Sequence, residues 1–214
     1  MWVYAEYEAT ALFTLKPAGA TSSGGKTLLV PTPYSIKMAL LDVACRLDGV
    51  SAAEAFWPVL ARAIIAIRPP EEVVVNNTFT KVLRQRRNEA EPGEQHAGFF
   101  GKTIAYREYA YLAGTFGLAV ETSTAEEAER IARWLVNINY LGKRGGFIQI
   151  QALPTICESL REGYLPITGD IVGMGIDSLL TQLDDTAPDL SFERVSIYSK
   201  DGLTLGKHRL LKHV

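Results

Sequence analysis

Strand, helix, strand, strand, helix, strand is the order of elements legible along residues 1–152. That order predicts an α+β fold with a ferredoxin-like βαββαβ core, one antiparallel sheet with two helices on a single face. Two further observations shape the prediction. Thr124-Ala125-Glu126-Glu127 is a capping box that opens a helix with apolar residues at helical spacing. Residues 80–102 carry many charges, with glycine and proline and no period, and interrupt the order between two strands as an extruded hairpin. Residues 153–214 are read as a smaller C-terminal β-rich extension, with an Asp-Gly hairpin over 194–205.

Taken in order, residues 2–15 alternate, with Val3, Ala5, Tyr7, Ala9, Ala11 and Phe13 on one side, and predict a long first strand. Residues 16–25 form a Pro/Gly/Ser/Thr loop. Pro31 and Pro33 force an extended path, since each fixes its own φ and moves the preceding residue out of the α region. Ser35 is placed to cap a helix over 35–48, with Ile36, Ala39, Leu40, Val43, Ala44 and Leu47 on its apolar face and Gly49 ending it. Ser51-Ala52-Ala53-Glu54 reads as a capping box. Phe56, Leu60, Ala63, Ile64 and Ile67 carry that helix to Arg68-Pro69-Pro70, with Pro58 placed to kink it or shift its start. Strands follow over 71–79 and 103–112, and Ala113-Gly114 turns the chain into 115–121. Ala128, Ile131, Trp134, Leu135 and Ile138 face the core from the next helix, which closes near Gly142. Lys143-Arg144-Gly145-Gly146 is a basic glycine turn into an alternating strand over 147–151.

The totals bound the class. The chain has 214 residues, 47% hydrophobic and 21% charged, which describes a soluble globular protein long enough to build a core. No apolar run reaches the roughly 18 residues that span a bilayer. The opening Met1-Trp2-Val3-Tyr4-Ala5-Glu6 lacks the layout of a signal peptide, so a cytoplasmic protein is expected. Cys45 and Cys157 lie far apart and there are three histidines, so neither a structural zinc site nor any other cofactor is expected. A net charge of −2 excludes a chain coated in positive charge but leaves room for a local basic groove.

Lys26, Thr27, Thr32, Tyr34 and Lys37 gather near the positive end of the first helix, a place to hold a phosphate. Gly25-Lys26-Thr27 has the look of a P-loop tail. However, Ala20 stands where the first glycine belongs, and the residues after Thr27 are extended and proline-bearing, which excludes a nucleotide triphosphatase. Lys81, Arg84, Arg86 and Arg87 put four cations within seven residues and no acid among them; Glu89, Glu91 and Glu94 follow. In an arbitrary protein this is a solvated loop. In an insertion between core strands, an Arg fork that matches phosphate geometry points to a single strand of RNA. Lys143 and Arg144 offset a helix dipole and are equally placed for phosphate. Tyr109 and Tyr111 share one face of their strand and Tyr106 takes the other, for core packing or for stacking under bases. A metal-free ribonuclease could use His96 as acid or base, with Tyr34 or Lys102 assisting.

Three stretches resemble the Cas-five proteins of CRISPR systems, members of the RAMP superfamily of ferredoxin-like, RRM-like RNA-binding proteins. They are Pro31-Thr32-Pro33-Tyr34-Ser35-Ile36-Lys37-Met38-Ala39-Leu40-Leu41, residues 103–112 running into Phe116-Gly117-Leu118-Ala119-Val120, and Asn139-Tyr140-Leu141-Gly142-Lys143-Arg144-Gly145-Gly146-Phe147-Ile148. The resemblance implies an RNA-binding subunit of a type I CRISPR Cascade complex in antiviral defence. Such a subunit holds the repeat-derived 5′ handle of the crRNA and touches the large subunit and the terminal Cas-seven backbone subunit. It also implies a thumb-like hairpin, here about residues 80–102. Some members cut the precursor RNA with Tyr, Lys and His. No Lys-His pair aligns here, since Thr103 follows Lys102, so a binder without catalytic residues is expected. Lys26, Tyr34, Lys37, Lys81, Arg84, Arg86, Arg87, Lys102, Arg107, Lys143 and Arg144 are the expected RNA contacts. The alternatives are a metal-independent endoribonuclease acting on pre-crRNA, and a protein-interaction module without RNA contact. Neither a membrane nor a small-molecule substrate is expected.

Overall fold

In the computed structural model, residues 1–17, 24–85, 93, 100–143, 145–168, 179–187, 189–195 and 208–213 are described. The elements in order are β1 (Trp2–Ala9), β2 (Gly24–Gly25), α1 (Pro33–Leu47), α2 (Val50–Arg62), β3 (Ile65–Arg68), β4 (Glu72–Gln85), β5 (Phe100–Ala113), β6 (Thr115–Glu121), α3 (Ala125–Val136), β7 (Ile148–Ile150), β8 (Thr155–Cys157), β9 (Leu165–Pro166), β10 (Leu179–Asp184), α4 (Phe192–Val195) and β11 (His208–His213). The main sheet runs β7-β1-β6-β3-β9 with β8 also paired to β1, and every neighbour in it is antiparallel. A separate sheet runs β2-β5-β4, and β10 pairs with β11.

β1 explains the layering. Its alternation sends Val3, Ala5 and Tyr7 into the main core with α1, α2 and α3, and the Tyr7 hydroxyl donates to Leu135 O at 2.7 Å. The other parity is buried as well. Trp2 and Tyr4 join Ala66, Ala119 and Tyr164 in a second cluster on the opposite face. Tyr164 lies so close over Gly117 that a Cβ there would stand 2.2 Å from its hydroxyl, and its ring meets Tyr4 edge-on at 4.9 Å. Arg161 covers the Tyr4 ring at 4.3 Å. The sheet is therefore covered over Trp2, Tyr4, Ala66 and Ala119 on the face away from the helices, while Glu6 and Glu8 stay exposed there.

The mixed α/β character matches the sequence expectation, while several boundaries move for identifiable reasons. The first strand stops at Ala9 rather than 15, because Thr10 N donates to Phe147 O and the chain leaves the sheet, reaching β5 through a lone Phe13–Ala110 bridge. The cap of α1 is Thr32, whose Oγ1 accepts Ser35 N at 3.0 Å; Pro33 then sits at the first helical position, where its missing N–H leaves nothing unpaired. α2 begins after Gly49 (φ 87°) without the expected Ser51 cap, and it ends at Arg62. Residues 65–67 are a strand, not the end of that helix. Ala63-Ile64-Ile65-Ala66-Ile67 fits both periods, and a strand buried on both faces satisfies it.

That shift moves two core strands. β3 takes the place expected for 71–79, and β6 takes that of 103–112. β4 and β5 instead pair with each other in unbroken register from Glu72–Ala113 to Gln85–Phe100. The capping box of α3 forms as expected, Glu127 N donating to Thr124 Oγ1 and Thr124 N to Glu127 Oε2, although the helix ends at Val136 with Asn137 as its C-cap, well before Gly142. The Asp-Gly hairpin lies outside the described residues apart from Arg194 and Val195, which end α4.

Burial holds the Tyr7 phenol far above its ordinary value of 10.0. The raised pKa stabilises the fold fully below about pH 10, and that contribution is lost as pH rises beyond it, because the unfolded phenol ionises first. Alkaline titration should therefore show one tyrosine ionising only together with loss of circular dichroism, and Tyr7→Phe should remove that step. All nine tyrosines titrating ahead of unfolding would contradict this.

Candidate functional site

The β4–β5 ribbon sorts its side chains by parity. Directly opposed residues share a face, so the register puts Phe79, Lys81, Leu83, Phe100, Lys102, Ile104 and Tyr106 on one face and Thr78, Thr80, Arg84, Thr103, Arg107, Tyr109 and Tyr111 on the other. The first face also carries Asn77, Gln85 and Glu108; it is buried at its base, at Ala110 and Leu112, and farther out it exposes large apolar side chains. Phe79 is 76%, Ile104 69%, Leu83 65% and Phe100 57% exposed, and Phe79 and Tyr106 rest against each other at 5.0 Å. The second carries hydroxyls, guanidinium groups and phenols, with Val74 and Val82 among them. Tyr109 and Tyr111 share it, as their spacing predicts.

At its base the polar face opens into a groove. One end, about 200 Å³, is lined by Leu12, Phe13, Thr14, Leu15, Tyr109, Leu141, Lys143, Gly145 and Gly146. The adjoining end, about 280 Å³, shares Thr14, Leu15 and Lys143 and adds Lys16, Leu28, Thr32, Ser35, Arg107, Gly142 and Asp184. The basic glycine turn makes its wall. Gly142 (φ 69°) and Gly145 (φ 112°) adopt left-handed backbone that favours glycine, and Gly146 N closes the turn on Lys143 O at 3.1 Å. Thr32 and Ser35 bring the first turn of α1 to the same place. Three cations, one carboxylate, a helix start and two aromatic rings, Phe13 and Tyr109, thus border one cleft. That set can take an anion beside a planar group.

The expected contacts are distributed unevenly. Arg107 and Lys143 meet in the groove. Lys26 is exposed beside Gly25. Tyr34 is half-buried in the first turn of α1, its phenol pushed up by burial and then by the negative charge of Asp184. Arg84 lies on the polar face of the ribbon, whereas Lys81 and Lys102 lie on the apolar one. Arg86, Arg87, Arg144 and His96 lie outside the described residues.

Lys37, expected at the phosphate, is enclosed instead, 1% exposed. Its Nζ donates to Asp185 Oδ1 at 2.8 Å, Ala61 O at 2.9 Å and Thr186 Oγ1 at 3.2 Å, tying α1 and α2 to the C-terminal segment. Lys16 and Asp184 are groove residues that the sequence reading missed. Lys16 lies in an irregular stretch and Asp184 at the end of β10, far apart in sequence, and only long-range packing brings them together. Among the described residues, no group of three or more His, Cys, Asp or Glu is placed to hold a metal, and no helix is long and apolar enough to cross a membrane.

Comparison with known proteins agrees with the resemblance read from the sequence. No family model matches the chain. A curated protein of Archaeoglobus fulgidus, CRISPR-associated protein Cas5, is 22% identical over 202 residues, covering 92% of this chain and 85% of its own. Among solved structures, a chain of a CRISPR RNA-guided surveillance complex superposes with TM-score 0.54 at 14% identity, covering 99% of this chain and 90% of that one. A crystal structure of a CRISPR protein from Archaeoglobus fulgidus aligns at 14% identity over 86% of this chain and 67% of its own, with TM-score 0.41. The curated relative bears out the resemblance to the Cas-five family, and the fold is similar to that of the surveillance-complex chain.

The buried Lys37–Asp185 pair makes a stability prediction. Lys37→Ala strands a buried carboxylate and should cost roughly 3–5 kcal/mol, while Lys37→Met combined with Asp185→Leu should recover most of it. Urea unfolding of the three proteins measures both.

Proposed function

We propose that this relative of the CRISPR-associated protein Cas5 is the RNA-binding subunit of a type I CRISPR Cascade complex, holding the repeat-derived 5′ handle of crRNA without cutting it. The observation that carries the reading is the convergence of Lys16, Arg107, Lys143 and Tyr109 on one groove continuous with the polar face of the ribbon. Guanidinium and ammonium groups would take successive phosphates, and Tyr109 would stack a base. Arg84 shares the ribbon face of Arg107 and Tyr34 lies near Asp184; with Lys26 they would extend the path. Arg86, Arg87 and Arg144 are neighbours in sequence of groove or ribbon residues and are proposed as further contacts.

We read residues 1–152 as a ferredoxin-like, RAMP-type domain. β7-β1-β6-β3 is its four-stranded core order, the ribbon is its thumb, and residues 153–214 are an extension that completes the sheet. Burial of the outer-face aromatics Trp2, Tyr4 and Tyr164 argues against base stacking on the sheet itself. The uncovered apolar face of the ribbon, with Lys81 and Lys102 beside Leu83 and Ile104, suits contact with a neighbouring subunit, the backbone or the large one. That is the part of the protein-interaction alternative for which an observation speaks.

The test is RNA binding by the assembled complex. Arg107→Ala with Lys143→Ala should weaken handle-RNA affinity about 10- to 100-fold, and the slope of log affinity against log salt should fall by about 0.7 for each lost phosphate. Unchanged affinity, or discrete cleavage products formed in chelator, would overturn the reading.

A further inference from the structure

We infer that residues 13–16 and 24–28 form a strap that positions Arg107, and that Gly25 is the residue on which the strap depends; the inference rests on the RNA-binding reading of the groove. The ribbon starts at the Gly114 turn, its base is held in the core by Leu112 and Ala110, and Arg107 lies seven residues from the turn, roughly 23 Å along the strand. A two-stranded ribbon held only at its base swings, and a small angle there carries the guanidinium out of the groove that Lys143 borders.

The strap fastens β5 at three places in turn. Phe13 and Ala110 exchange backbone hydrogen bonds of 2.8 and 2.7 Å. Thr27 N donates to Glu108 Oε2 at 3.0 Å. Gly24 and Gly25 pair in parallel with Tyr106 and Arg107. The strap is itself two-ply, since Leu28 N donates to Leu15 O at 2.7 Å and Leu15 N to Thr27 Oγ1 at 2.9 Å.

Two features make this a positioning device rather than ordinary packing. The contacts along β5 run through its backbone and through Glu108, which leaves the side chains of Arg107 and Tyr109 directed to the groove they line. The strap also carries Lys16, so one element sets two of the three cations. Gly25 is required by close approach. A Cβ there would stand 2.4 Å from Tyr106 O and 3.0 Å from Arg107 Cα, backbone atoms that cannot move aside alone. Any side chain at 25 therefore lifts the strap from the strand that bears Arg107.

The experiment is a double-mutant cycle on the full chain in its complex, with a synthetic RNA of the system's own repeat as probe. Gly25→Ala should lower affinity by about the same factor as Arg107→Ala, and the double variant should fall within about twofold of the stronger single one, because both remove the same contact. Hydrogen exchange of the β5 amides should quicken in Gly25→Ala, and the thermal midpoint should stay within a few degrees. Glu108→Ala should repeat the effect and Glu108→Gln, which keeps an acceptor, should restore it; this pair serves if Gly25→Ala fails to fold. Losses that multiply in the double variant, or wild-type affinity with unchanged β5 exchange in Gly25→Ala, would overturn the strap. A wild-type complex that does not bind the RNA would instead overturn the functional reading, and β5 exchange then decides the strap alone.

Discussion

Burial of β1 on both faces is the constraint from which the rest of the molecule follows. A strand with Val3, Ala5 and Tyr7 under helices and Trp2 and Tyr4 under the 157–164 segment leaves only Glu6 and Glu8 exposed on its outer face. Its neighbours β6 and β3 inherit the condition, with Ala119 and Ala66 fully enclosed on the outer side. Ligand chemistry is displaced from the sheet to its periphery, where the 13–28 strap, the glycine turn and the start of α1 meet the ribbon. The groove is polar for the same reason, because it is lined by loop segments and element ends that carry Lys16, Thr32, Ser35, Lys143 and Asp184.

A second consequence concerns the C-terminal part. Lys37 carries a charge into the core, and the three acceptors around its ammonium come from two different regions of the chain, Ala61 and the 185–186 segment. An apolar residue there would pack without specifying where 179–195 docks. A buried ammonium is compensated only when Asp185 and Thr186 arrive in one arrangement. Trp57 Nε1 reinforces that arrangement by donating to Leu190 O at 2.6 Å. This placement also sets Asp184 beside the groove, so the one carboxylate among its cations comes with the docking of this segment.

What the sequence made legible divides by range. Local chemistry could be read directly: Thr124 and Glu127 announce their capping box, Tyr109 and Tyr111 declare a shared face, and the apolar spacing of α1 is plain. Ambiguity entered where two periods fit one run, as over Ala63–Ile67, and where two hydroxyl residues competed for one cap, as Thr32 and Ser35 did. The groove itself was only half visible. Arg107 and Lys143 stand out among basic residues, but their meeting with Lys16 requires Phe13 to bridge Ala110 and Gly25 to lie against Tyr106, pairings that no window of sequence contains. Lys37 misled because a lysine one turn into a helix is ordinarily solvated, and nothing nearby in sequence announces Asp185.

The unbroken register of the ribbon has an implication for how such a protein can vary. Because side chains alternate with a period of two, inserting or deleting a single residue in either arm would turn every following side chain over, exchanging hydroxyls and guanidinium groups for phenylalanines. Changes in pairs would merely lengthen or shorten the ribbon and keep each chemistry on its own side. The two sides can therefore drift independently by substitution, one tracking whatever lies above it and the other whatever lies below. Arm length should change across natural variants in steps of two.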